Sequence, residues 1–150
     1  MSSPIIAIVG RANVGKSTLF NKLTQSRSAI VNDTPGVTRD RIYGSADMGS
    51  RSALIVDTGG VDVDQNNPIE LQVVEQGKWA RDEADCVIIV VDNKEGVTPY
   101  DREMVDEIRK SGKPYVLAVN KVDSPSQHHI LPEFNKLGMR SSDTAQIFFD

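Results

Sequence analysis

Gly10, Gly15, Lys16, Ser17 and Thr18 stand together in GRANVGKST (residues 10–18), directly after the apolar run PIIAIV. Two glycines this close let a backbone curl so that successive N–H groups point inward at an anion. A helix opening at Lys16 adds the positive end of its dipole. The spacing Gly10-x-x-x-x-Gly15-Lys16-Ser17 is the P-loop pattern, whose chemistry is the holding of nucleotide phosphates. In that reading the N–H groups from Asn13 and Val14 to Thr18 line the nest. Lys16 reaches the β- and γ-phosphates, and Ser17 gives its hydroxyl to Mg²⁺.

A second element is DTGG, Asp57 to Gly60, at the end of ALIVD. A carboxylate there faces the P-loop and holds Mg²⁺ through water, while Gly60 offers an unobstructed N–H to a γ-phosphate. Asp-x-x-Gly is also ordinary turn chemistry, and only the P-loop gives it this meaning. The third element is NKVD, Asn120 to Asp123, at the end of YVLAVN. Asp123 can accept hydrogen bonds from guanine N1–H and from its 2-amino group. Adenine lacks that amino group and presents an acceptor at N1, so a buried carboxylate repels it; polar pairing of this kind gives large discrimination. Asn120 is positioned to tie the base loop to the P-loop, and the stem of Lys121 to lie over the base.

The stretch DTPGVTRD (33–40) adds Thr34 and Thr38. Thr38, just before the second predicted strand, is expected to close on Mg²⁺, which makes residues 25–40 a switch ordered by the γ-phosphate. The position after Gly60 is Val61, which can neither orient nor deprotonate water, and nothing places Gln65 near a phosphate. Slow intrinsic hydrolysis follows, carried by Lys16, Thr38, Gly60 and Asn13. Two other readings stay open: a nucleotide-gated binding module whose hydrolysis is incidental, and a P-loop ATPase, against which Asp123 stands.

The elements that must hold these residues alternate along the chain. PIIAIV (4–9), RSALIVDT (51–58), DCVIIVVD (85–92) and KPYVLAVN (113–120) read as strands, the continuous apolar ones buried on both faces. RIYGSADM and AQIFF (145–149) are weaker strand candidates. Helices are expected over 16–24, 68–84, 98–112 and about 124–137, with 25–40 a long loop. Thr98, Pro99 and Gly112 are start and stop signals of the third helix. Strands alternating with amphipathic helices predict an α/β domain, a P-loop NTPase three-layer sandwich with a mainly parallel sheet flanked by helices. In such sheets ligands sit at the carboxyl ends of strands, where Gly10, Asp57 and Asn120 all fall.

Composition sets the bounds. The chain has 150 residues, 39% hydrophobic and 25% charged, ordinary for a single globular domain. A net charge of −4 argues against a nucleic-acid sleeve. The single cysteine, Cys86, cannot form an internal disulfide, so a reducing, cytoplasmic compartment is expected, with Cys86 a buried small hydrophobe. MSSPIIAIVG lacks the basic region of a targeting signal, and CVIIVV is far too short to span a bilayer, so no membrane association is expected. His128 and His129 lack companions at metal-ligand spacing, Trp79 reads as a packing residue, and YDREMVDEIRK reads as a solvated helix face.

With GRANVGKSTLFNKL, TPGVTRD, DTGG, ADCVIIVVDNKEGVTPYD and NKVD in view, the chain resembles the translation-factor-class (TRAFAC) GTPases. More closely, it resembles the first GTPase domain of the bacterial ribosome-assembly EngA (Der) family, from about Ile5 to Met139. DTGG with GVTRD separates it from the related Era and MnmE groups. The resemblance implies a GTP/GDP switch acting in assembly of the large ribosomal subunit, with that subunit or its rRNA as partner and an isolated domain that is monomeric. It also implies a second GTPase domain, a KH-like RNA-binding domain and a Ser-Ala loop against the guanine after the last strand. None lies within residues 1–150, and SSD (141–143) is a poor substitute, so a piece of a longer protein with weakened base binding is expected. Asn13 carries a last expectation. It could merely bond its own turn. With no glutamine at position 61, however, charge developing between β- and γ-phosphates calls for another cation. GTPases resembling this chain, with asparagine at the matching position, place K⁺ there.

Overall fold

The computed structural model describes residues 3–11, 14–24, 30–31, 42–59, 68–92, 94–120 and 144–146. Their order is β1 (Ile5–Val9), α1 (Lys16–Thr24), β2 (Ile30–Val31), β3 (Ile42–Met48), β4 (Arg51–Asp57), α2 (Ile69–Glu83), β5 (Cys86–Asp92), α3 (Pro99–Ser111), β6 (Tyr115–Asn120) and β7 (Thr144–Gln146). They form one seven-stranded sheet in the order β2-β3-β4-β1-β5-β6-β7. The run from β4 to β7 is parallel throughout, and β3 pairs antiparallel with both β2 and β4. The reversal at β3 is forced by its connection: Gly49 and Ser50 alone join it to β4, and two residues can only turn the chain back.

Alternation along the central strands creates the two cores. Ala7 and Val9 of β1, Val87, Ile89 and Val91 of β5, and Leu117 and Val119 of β6 face one side. There they meet Val73 and Ala80 of α2 and Met104, Val105 and Ile108 of α3. Ile8, Val90 and Ala118 face the other side, against Leu19 and Phe20 of α1. This is the expected three-layer α/β sandwich. Each Val, Leu, Ile, Phe or Met side chain among them, taken fully from water, contributes roughly 1.5–3 kcal/mol. Gly77 lets α2 approach α3 closely, since a Cβ there would lie 3.2 Å from Glu107 Cγ. Arg81 bridges the same helices to Glu107 at 2.7 Å.

Helix α3 shows why its sequence is helical. Thr98 Oγ1 accepts from the Asp101 N–H at 3.3 Å while Asp101 Oδ2 accepts from the Thr98 N–H at 2.9 Å, a reciprocal capping box. Pro99 occupies the first turn and Gly112 the left-handed C-cap, with φ 74°.

Three expectations need adjustment. The stretch 25–40 is not loop throughout, because Ile30–Val31 pairs with β3; two paired residues carry no readable period. The last described strand is Thr144–Gln146, which begins one residue before the expected 145; 147–149 lie outside the described residues. Asp101 does not belong to a solvated face: it is 2% exposed, turned inward by its cap and by Arg11. The helix expected over 124–137 lies outside the described residues.

Candidate phosphate and nucleotide site

β1 delivers the chain to Gly10 at its carboxyl end, and α1 begins six residues later at Lys16. Gly15, with φ 103°, occupies a region that side-chain-bearing residues rarely adopt. An added Cβ would also lie 1.9 Å from Asn120 Nδ2, so the loop closes there only on a glycine. Asn120, the last residue of β6, donates Nδ2 to the Val14 carbonyl at 2.7 Å. Two distant stretches of sequence are thereby joined into one rim.

Lys16 is 7% exposed. Its Nζ donates to the Gly10 carbonyl and, at 3.4 Å, to Gln76 Oε1. Burial lowers the ammonium from its ordinary 10.5 to about 8, against the opposing pull of the Asp57 carboxylate. A cation held among neutral carbonyls is primed to gain from an incoming phosphate.

Asp57 ends β4 and is buried. Its Oδ1 accepts from the Gly59 N–H at 3.0 Å and its Oδ2 from Ser17 Oγ at 3.2 Å. A hydroxyl and a carboxylate side by side are hard oxygen donors. Among the described residues no three His, Cys, Asp or Glu gather as a metal cage. Mg²⁺, which keeps its waters and leans on substrate phosphates, is the cation such a sparse pair suits. The nucleotide fit is also local: Asn120 Oδ1 is buried without a partner among the described residues, an acceptor left open beside the nest.

The structure therefore gathers Gly10, Val14, Gly15, Lys16, Ser17, Asp57 and Asn120 at the carboxyl ends of β1, β4 and β6, with Thr18 exposed in the first turn of α1. Asn13, Thr38, Gly60, Lys121 and Asp123 lie outside the described residues, as do Val61, Gln65, His128 and His129. Cys86 is half-buried rather than buried, and burial pushes its thiol up. Trp79 is partly buried against the core between α2, α3 and the sheet.

Sequence reasoning passed over several residues that shape the site. Gln76 of α2, 7% exposed, brings Oε1 to the Gly10 N–H at 3.0 Å and to Thr58 Oγ1 at 3.1 Å. The signal was there: Gln76 falls on the helix stripe of Val73 and Ala80, where a polar group needs a partner. Thr58 Oγ1 also lies 2.8 Å from the Ile8 carbonyl, and its single proton serves one of the two. Gly59 packs on Lys16, with an added Cβ 2.5 Å from Nζ. Arg11 is engaged by two carboxylates, its Nε on Asp101 Oδ1 at 3.2 Å and its Nη1 on Glu95 Oε2 at 2.6 Å. These two carboxylates outweigh burial and raise the guanidinium further. The capping pattern Thr98-x-x-Asp101 could have marked Asp101; nothing local marks Arg11.

The chain is similar to known proteins in sequence and in fold. A family described as 50S ribosome-binding GTPase matches residues 5–121. The GTPase Der of Geobacillus thermodenitrificans is 47% identical over 138 residues, covering 92% of this chain and 31% of that protein. The chain thus spans about a third of the length of this relative. Among solved structures, a point variant of Aquifex aeolicus Era bound to GDP and AlF4⁻ superposes with a TM-score of 0.71 at 27% identity, covering 99% of this chain and 52% of that one. Era in complex with MgGDPNP and nucleotides 1506–1542 of 16S ribosomal RNA gives a TM-score of 0.65 at 29% identity, covering 99% and 50%.

Proposed function

Because the chain belongs to the 50S ribosome-binding GTPase family, we propose that its site takes GTP and GDP with Mg²⁺, hydrolyses GTP slowly, and works as a switch in assembly of the large ribosomal subunit. The observation that carries this reading is the convergence of Lys16, Ser17 and Asp57 beside a glycine nest locked to Asn120. Lys16 binds and orients the β- and γ-phosphates. Ser17 and Asp57, joined in the triphosphate state by Thr38, hold Mg²⁺, which when bound neutralises phosphate charge. Gly60 gives its N–H to the γ-phosphate. Lys121 covers the base and Asp123 reads it as guanine. Asn13 helps hold a K⁺ beside the phosphates.

The resemblance of residues 5–121 to ribosome-binding GTPases, and the rRNA fragment bound by the similar Era, support a ribosomal partner for the longer protein. No helix among the described residues is long and apolar enough to cross a membrane.

The deciding experiment is calorimetry with GDP and ADP, followed by phosphate release from GTP and ATP. Selective binding of GDP and turnover of GTP are expected. Asp123→Asn should move the preference toward xanthine nucleotides, whose 2-oxygen an amide can serve as donor. Equal affinity for GDP and ADP, or unchanged GDP affinity in Asp123→Asn, would remove the guanine assignment. Thr38→Ala should spare GDP binding and impair hydrolysis.

A further inference from the structure

A lysine ammonium has three N–H donors. Among the described residues, Lys16 Nζ commits one to the Gly10 carbonyl and one to Gln76 Oε1. One donor is left, enough for a β-phosphate oxygen. A triphosphate asks for two, one toward each of its last two phosphates. The Gly10 bond is part of the loop's own fold, since Gly10 and Lys16 stand at the two ends of the same loop. The Gln76 contact is the longer of the two, comes from another element and is the one that can be exchanged.

We propose that Gln76 sets the preference of the site between nucleoside diphosphate and triphosphate, by occupying the Lys16 donor that a γ-phosphate needs. The claim rests on Lys16 as the phosphate ligand proposed above. Gln76 suits the role for three reasons. It is buried, so its carbonyl oxygen must be satisfied from within the protein. Its Oε1 keeps the Gly10 N–H at 3.0 Å when Lys16 leaves, so release strands no acceptor. It sits at the middle of α2, the helix entered from the segment that follows Asp57. A phosphate that takes Lys16 from Gln76 thereby acts on α2, whereas a diphosphate leaves the link to α2 in place.

The test is the ratio of affinities for GDP and GDPNP, both with Mg²⁺, measured by calorimetry. Gln76→Met fills a similar volume without the acceptor. It should move the ratio toward GDPNP by about three- to tenfold, the worth of one ordinary hydrogen bond. Gln76→Glu keeps the acceptor and adds charge, so the ratio should move toward GDP. A role confined to packing α2 would weaken both nucleotides alike, and an unchanged ratio in both variants overturns the proposal. Should Gln76→Met fail to fold, Gln76→Asn decides. Its amide is withdrawn by one methylene and the same shift toward GDPNP is expected, an unchanged ratio again overturning the proposal. If the unsubstituted protein binds neither GDP nor GDPNP, the reading of the site itself has failed. That outcome is distinct from binding with an unmoved ratio.

Discussion

Asn120 and Val14 are joined by a 2.7 Å hydrogen bond across 106 positions of sequence, from the end of β6 to the P-loop. Gly15, next to Val14, leaves the space in which the Asn120 amide lies. The two residues form one contact surface and their substitutions should not be additive. Asn120→Ala orphans the buried Val14 carbonyl and is expected to cost about 1–3 kcal/mol. Gly15→Ala brings both a clash with Asn120 Nδ2 and strain at φ 103°. In the double variant the clash is gone while the strain and the orphaned Val14 carbonyl persist, so it should be more stable than the sum of the single effects. Urea denaturation of the four proteins measures this, and strict additivity would deny the contact.

Stability of the nucleotide-free protein should depend on pH through Lys16. Its native value of about 8 lies below its ordinary 10.5. Between those two values the unfolded chain holds a proton that the native chain lacks, so stability rises with pH across this window. Below about pH 8 the full burial penalty applies, about 3 kcal/mol for a shift of this size. Lys16→Met should therefore be more stable than the parent near pH 7.5, with the gap closing toward pH 10.5. A gap that does not change with pH would contradict the burial of a charged lysine.

Helix α3 should depend more on Asp101 than on Thr98, although both belong to the same cap. Thr98→Ala removes one cap bond, worth about 1 kcal/mol. Asp101→Ala removes the reciprocal bond and also leaves Arg11 with Glu95 alone, so about 2–4 kcal/mol is expected. Thermal denaturation ranks the two, and an equal loss would mean that the Arg11 pair contributes nothing.

The K⁺ proposed beside Asn13 has its own signature. GTP turnover at saturating nucleotide should rise when Na⁺ is replaced by K⁺ at constant ionic strength, and Asn13→Ala should abolish the rise. Equal rates in the two salts would remove K⁺ from the proposal.

The strands and the three motif-bearing strand ends were legible because both rest on strong local signals. Continuous apolar runs of four or five residues that stop at a glycine or a polar residue favour a buried strand, and Gly10, Asp57 and Asn120 fall where those runs stop. Ile30–Val31 was not legible, since its pairing with Ile42 and Tyr43 is a tertiary event with no periodicity behind it. Asp101 was misjudged for a related reason. In a helix of mixed charge a carboxylate defaults to water, whereas the cap with Thr98 and Arg11 from 90 positions away together turn this one inward. Gln76 shows the same limit: its place on an apolar stripe is visible, but its partners Gly10, Lys16 and Thr58 are brought together only by the fold.

The position of β1 in the sheet bears on how the chain is made. Of the seven described strands, the first to be synthesised lies at the centre, between β4 and β5. A nascent chain therefore carries IIAIV with neither flank covered until residues 51–57 emerge, and with one flank open until 86–92 follow. At about 5–20 residues per second, the second interval of the wait alone lasts on the order of 2–7 s. An apolar strand with free edges is a template for unwanted pairing. The same order of assembly delays competence, because Asn120 must arrive before the loop at Val14 is locked. Translation pauses placed before β5 should thus lower the yield of native protein more than pauses placed after β6.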